Sequence, residues 1–238
     1  MRATVPRMKQ PESVLPLAPL RRAESLAEKV YRSVHQKIAS GAIDPARKLT
    51  ETQLATLLGV SRTPVREALA RLRREGLLDP AARKAVVSTL TRADIEEIME
   101  VRQLMEPYVA ARAAERATPE GVQRLEAALA EEERTLELKS PQRFSMANHV
   151  FRQELMRLAG NGRLAEAAAR YDAQIQALRR ATLTQLEHRR TVLRHHRALV
   201  AAIRAGEQGK AESAMRGLMH AASDTMLALA SDRPGSRR

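Results

Sequence analysis

Leu57-Leu58-Gly59-Val60-Ser61-Arg62-Thr63-Pro64-Val65-Arg66-Glu67-Ala68-Leu69 is the stretch whose reading decides the fold. Gly59 stops one helical run, Ser61 stands where a cap opens the next, and Pro64 falls in that helix's first turn, where a missing N–H is tolerated. Val65, Ala68, Leu69 and Leu72 then recur at helical spacing until Gly76. Upstream, Thr50-Glu51-Thr52-Gln53 has the spacing of a capping box, so a helix is expected to run from there to Gly59. Two helices joined through Gly59-Val60-Ser61 make a helix-turn-helix. On the second of them Arg62, Thr63, Arg66 and Arg73 are expected to lie away from the apolar stripe, where a helix N-terminus can approach a duplex. Arginine can bridge guanine O6 and N7 with two donors, and hydroxyls and N-terminal amides can grip phosphate.

Working outward, residues 24–40 place Leu26, Val30, Val34 and Ile38 four apart on a first helix that Gly41 ends. After Gly76, Leu77-Leu78 and Ala85-Val86-Val87 flank the basic Arg83-Lys84, which suits a small hairpin or wing. From Thr91 the pattern is helix after helix: Thr91 with Asp94, Thr118 with Pro119 and Ser140 with Pro141 are starts, and Gly160-Asn161-Gly162 is a break. Val101, Leu104, Met105, Tyr108 and Val109 hold helical periodicity, as do Leu193, His196, Leu199, Val200 and Ile203. The expected fold is therefore mostly α: a winged helix-turn-helix over 24–90, then an antiparallel bundle of about six helices over 91–232. Residues 1–23 and 233–238 are read as disordered basic tails.

Charge agrees with that division. The chain's 238 residues carry a net +13. Residues 24–90 hold twelve Lys/Arg against seven Asp/Glu, whereas 91–232 hold 21 against 20, so the surplus lies in the tails and the first folded unit. That asymmetry suggests one nucleic-acid-facing domain and one neutral domain. An aromatic content of 2% argues against base-stacking single-strand binding. With no cysteine, a disulfide framework and thiolate chemistry are excluded, and a reducing, cytoplasmic setting is expected. No membrane-length apolar run occurs, and no phosphate-cradling glycine loop, nucleophile elbow or full metal set supplies activation chemistry, so an enzyme is not expected.

The run Gly59 through Leu69, with Leu49-Thr50-Glu51, Ala55 and Glu75-Gly76-Leu77, resembles the GntR family of bacterial transcription factors. The resemblance implies that Arg62 and Arg66 read bases or phosphates, that Ser61 and Thr63 touch phosphates, and that Thr52 is a further contact. Where the family often has a Gly-Arg-Gly wing tip this chain reads Ala82-Arg83-Lys84, which keeps the phosphate-binding charge of Arg83 and Lys84 without the glycines. Residues from about 92 to 232 resemble the all-helical, effector-binding FCD domain of the FadR-type branch, on Glu100-Val101-Arg102, Glu106-Pro107, Phe151, Ala159-Gly160-Asn161, His196 through Gly206, and Ala214-Met215-Arg216. It implies a homodimer on an inverted-repeat operator in double-stranded DNA, with repression relieved by a small molecule.

Many members of that branch bind a divalent metal through an Asp and three His. Here the corresponding positions hold Asn148, Arg152, His196 and Leu218, so no tightly bound metal and no cofactor is expected. His149 and His220 sit one and two positions away from that set, rotated by about 100° and 200°. His188 and His195 are read as part of a solvated basic face. In place of the metal, Arg152 would offer a forked donor for an organic acid, with Arg102, Asn148 and His196 completing an effector site. Two alternatives remain at this point: Arg152 pairs with a nearby acid in a collapsed cavity, or the chain is a constitutive, architectural DNA binder whose sensor has lost its ligand.

Overall fold

A computed structural model describes residues 24–39, 42, 43, 48, 50–79, 82, 84–87 and 89–231. The two tails, the Gly41 stop and Arg83 lie outside the described residues. Among them are nine helices: α1 (Leu26–Ala39), α2 (Glu51–Leu58), α3 (Arg62–Arg74), α4 (Arg92–Glu115), α5 (Pro119–Glu137), α6 (Pro141–Ala159), α7 (Gly162–Thr182), α8 (Leu186–Arg204) and α9 (Gln208–Ser231).

The first three form one unit. Thr50 caps α2 through a reciprocal capping box with Gln53, and Gly59 ends it in the left-handed conformation at φ 64°, which a side chain would strain. Val65, Leu69 and Leu72 of α3 are fully buried against Val30, Val34 and Ile38 of α1 and Leu54 of α2. Leu26, at the free end of the α1 stripe, is 55% exposed. The Arg71 guanidinium stacks 3.7 Å from the Tyr31 ring centre and bonds Glu28 and Glu75, fastening α1 to the end of α3. Among the described residues the expected hairpin shows an antiparallel bridge, Leu78 to Val87, beside a bond from the Asp79 amide to the Val86 carbonyl. Its short segments bury Leu77, Leu78 and Ala85 in the core of the three helices.

Helices α4–α9 form the second unit, the six-helix bundle expected. Each sequence-read start is a real cap: Thr91 with Asp94, Thr118 before Pro119, Ser140 before Pro141, and Asn161 after the left-handed Gly160. Short connections make neighbours of α5 and α6 and of α8 and α9, and α4 packs against α6, α7, α8 and α9. Leu193, His196, Leu199, Val200 and Ile203 face inward as their spacing predicts. The α4 stripe does so only in part: Val109 is buried and Val101 and Met105 half-buried, but Leu104 is 74% exposed and Tyr108 53%, while Ile95, Ile98, Met99, Ala110 and Ala113 are buried. Two charged residues, Arg102 and Glu106, occupy the inward face, so apolar periodicity places the buried side of this helix off centre. Among the described residues no helix is long and apolar enough to cross a membrane.

α7 joins the units. Arg170 and Gln174 donate to the Arg74 and Glu75 carbonyls at the C-terminus of α3, at 3.0 and 2.8 Å, and Ala173 packs on the first unit's core. Gly76, at φ 73°, has Gln174 Nε2 so close that an added Cβ would collide with it. Leu69→Ala should destabilise the chain by about 3 kcal/mol and Thr50→Ala by about 1 kcal/mol, read as shifts in denaturant midpoint. The reverse order would remove Leu69 from the core.

Candidate functional site

Two surfaces meet the sequence expectations. The first is the N-terminus of α3. Ser61, Arg62, Thr63 and Arg66 are all exposed there, on the side opposite the buried stripe, with no acidic residue in the first turn. Ser61 holds the cap position but makes no side-chain cap bond, so its hydroxyl is not spent on its own helix, contrary to its expected capping role. The orphan amides and Arg62, Thr63 and Arg66 together form a cationic end suited to phosphate and base edges. Arg62 lies 3.8 Å from Glu51 with its side chain 69% exposed, a contact worth little in solvent. Thr52 on α2 and Lys84 near the bridge are exposed as well, whereas Arg73 is half-buried.

The second is a cavity of about 30 Å³ inside the bundle, lined among others by Arg102, Asn148, Arg152, His196 and Leu218. All four effector candidates therefore converge, together with the fourth position of the displaced metal set. Asn148 Nδ2 donates to Glu132 at 3.1 Å, and His196 Nδ1 lies 2.8 Å from the other oxygen of the same carboxylate, with its ring stacked 3.8 Å from Phe151. Arg152 is not free. It donates to Glu106 at 2.5 Å and to Asp172 at 2.9 Å, and Arg102 pairs with Glu106 at 3.0 Å. Arg179 grips both oxygens of Asp172 in a forked pair.

Glu106, Glu132, Asp172 and Arg179 were missed by the sequence reading, although the four-residue spacing of Arg102 and Glu106 and the two-turn spacing of Asp172 and Arg179 were both visible. His188, expected on a solvated face, is instead buried in the cavity wall, 3.1 Å from the Thr225 hydroxyl. Burial lowers its pKa. His149 and His220 are exposed. Among the described residues no three His, Asp, Glu or Cys side chains are grouped to hold a metal ion.

The electrostatics are those of a buried cluster with three guanidinium groups and two carboxylates. Burial would raise the Asp172 carboxyl, but Arg152 and Arg179 outweigh it and hold it well below the usual carboxylate range. Glu106 is likewise lowered, by Arg152 and Arg102 against burial. Burial brings Arg102 down to about 10, with Glu106 opposing the shift and Arg179 and Arg152 adding to it; it stays protonated at neutral pH. Arg152 is raised, its two acids overcoming burial. Arg152 Nε, Glu106 Oε2 and His196 Nε2 are buried with no hydrogen-bond partner among the described residues.

Comparison with known proteins gives this arrangement its family. Residues 26–87 match the model described as "Bacterial regulatory proteins, gntR family", and residues 97–221, more than half of the chain, match the FCD domain. The chain belongs to the GntR family of bacterial regulatory proteins, with an FCD domain. It is 29% identical over 171 residues to the uncharacterised HTH-type transcriptional regulator YdhC of Bacillus subtilis, covering 71% of this chain and 76% of that one. It is 33% identical over 133 residues to the gluconate operon transcriptional repressor of Bacillus licheniformis, covering 56% and 55%. Among solved structures it is similar in fold to McbR/YncC of E. coli, with a TM-score of 0.72 and 24% identity over 83% of this chain and 95% of that one.

This GntR-family chain is thus a transcriptional regulator and not an enzyme: the families and relatives it matches are regulators. Its ion cluster makes a prediction of its own. Glu106→Gln leaves two buried guanidinium groups short of an acid and should cost about 3–5 kcal/mol. Because both carboxylates are lowered by folding, their stabilisation is complete above about pH 4–5 and is lost as pH falls through that range and below. Glu106→Gln should flatten this acid limb in thermal melts; an unchanged slope would mean that Glu106 does not contribute to it.

Proposed function

We propose that this chain is a repressor that binds an inverted-repeat operator as a homodimer in the cytoplasm and is modulated by a small carboxylate metabolite. Residues 24–90 are the DNA-binding unit and 91–232 the sensing and dimerising unit. The observation that carries the effector class is the convergence of Arg102, Arg152 and Arg179 beside one cavity, three forked donors whose geometry matches carboxylates. Relatives named as repressors, of the gluconate operon in B. licheniformis and RspR in E. coli, support the direction of regulation. Arg62, Arg66, Ser61, Thr63 and Thr52 are the DNA contacts in this reading, with Lys84 and Arg83 on phosphates.

One observation favours a second reading, a constitutive DNA binder. The cavity's 30 Å³ suits a water or two, far below the several hundred Å³ of an organic-ligand pocket, and Arg152 already holds two acids. The two readings separate on melting. A panel of small organic acids should raise the wild-type midpoint for at least one member, with the response lost in Arg152→Ala; no response to any acid would favour the constitutive binder. For DNA, selection of genomic fragments should enrich a short inverted repeat with wild type and not with Arg62→Ala, Arg66→Ala. Equal, motif-free enrichment by both would remove these arginines from sequence reading.

A further inference from the structure

The cluster already holds a carboxylate, and it is the protein's own. Asp172 places both oxygens on Arg179 and shares one of them with Arg152 at 2.9 Å and Arg102 at 3.7 Å. Its side chain is 17% exposed, whereas those of Arg102, Glu106, Arg152 and Arg179 are 8% or less, so Asp172 is the member that an anion arriving from solvent meets first. The cavity beside Arg102, Arg152 and Arg179 has only about 30 Å³, room for a water and not for an organic acid, so in this reading an acid reaches these groups by taking the place of Asp172. Exchanging one carboxylate for another leaves the cluster's charge unchanged, which keeps the electrostatic cost of the exchange small.

We propose that Asp172 is a built-in stand-in for the effector's carboxylate, and that its displacement loosens α7 and with it the hold on the recognition helix α3. This rests on the reading of the bundle cavity as a carboxylate site. Asp172 lies between the two α7 residues, Arg170 and Gln174, that bond the last carbonyls of α3, and Ala173 beside it touches the first unit's core. The same turn of α7 thus faces the guanidinium cluster on one side and the DNA-binding unit on the other. A groove of about 340 Å³ runs beside this tie, lined by Leu90, Glu97, Val101 and Tyr171 among others, and leaves the turn room to shift. Ile175 and Leu178 keep the rest of α7 in the bundle core, so the change is a local release and not an undocking. A ligand acts through such an element only by its preference for one arrangement, and here the preference is built in: the ligand binds the state that Asp172 has left.

The test is replacement of the internal carboxylate by a free one. Asp172→Ala in the full chain opens space for acetate, and its melting midpoint should rise with sodium acetate by several degrees more than with sodium chloride at equal ionic strength. Wild type, whose tethered Asp172 outcompetes weak acetate, should respond to the two salts alike. Operator affinity of Asp172→Ala should fall about five-fold or more and stay low in acetate, because a free acid fills the cluster without re-tying α7. If Asp172→Ala does not fold in chloride, recovery of the fold in acetate is the same result, and Asp172→Asn carries the DNA measurement. Arg170→Ala with Gln174→Ala should weaken operator binding without any acetate response; full affinity in that variant overturns transmission through α7.

If acetate and chloride act alike on Asp172→Ala while some acid stabilises wild type, the stand-in role falls and the carboxylate-sensor reading survives. If Asp172→Ala is rescued by acetate while no acid moves wild type, Asp172 fills the site permanently, and the displacement and the sensor reading fall together.

Discussion

Three guanidinium groups buried inside a helical bundle have to be paired with acids there, and the arrangement of this molecule's second half follows from how Glu106 and Asp172 are shared among them. Isolated charges at such depth would carry a desolvation penalty of several kcal/mol each. Glu106, one turn from Arg102 on α4, reaches Arg152 on α6, and Asp172 on α7 reaches Arg152 and Arg179. The pairs therefore fix three helices against one another at a single point. A second polar group, Asn148 and His196 on Glu132, closes the cavity from α5, α6 and α8.

The two halves of the chain differ in how much of them the sequence discloses. Helix ends are legible because caps are local chemistry: Thr50 with Gln53, Thr91 with Asp94 and Asn161 after Gly160 satisfy backbone groups within three residues, whatever the rest of the fold does. The buried face of α3 is legible because it is apolar and periodic. The inward face of α4 is not, because its centre is Arg102 and Glu106 while Leu104 and Tyr108 point outward; periodicity reports where apolar residues lie, not where a charge network pulls a helix. The candidate cavity shows the same limit. Arg102, Asn148, Arg152 and His196 were legible through their place in a family pattern, but their acidic partners Glu132 and Asp172 were not, since they reach them from other helices, where helical spacing gives no register.

The DNA-facing end and the ionic centre are linked through α7. One turn of it supplies Asp172 to the cluster and Arg170 and Gln174 to the end of α3, whose other end presents Arg62, Thr63 and Arg66. Gly76 fits this junction on two counts, its positive φ and the closeness of Gln174. A change in the ionic centre thus has a short path to α3, the helix proposed to address DNA, one made of hydrogen bonds to backbone carbonyls and not of a large apolar interface.

Amide hydrogen exchange tests this link most directly. Comparison of wild type with Arg152→Ala, which weakens the hold on Asp172 without touching the first unit, should show faster exchange both in the middle of α7 and in the last turn of α3 through Gly76. Faster exchange confined to the bundle, with the α3 terminus unchanged, would contradict the account.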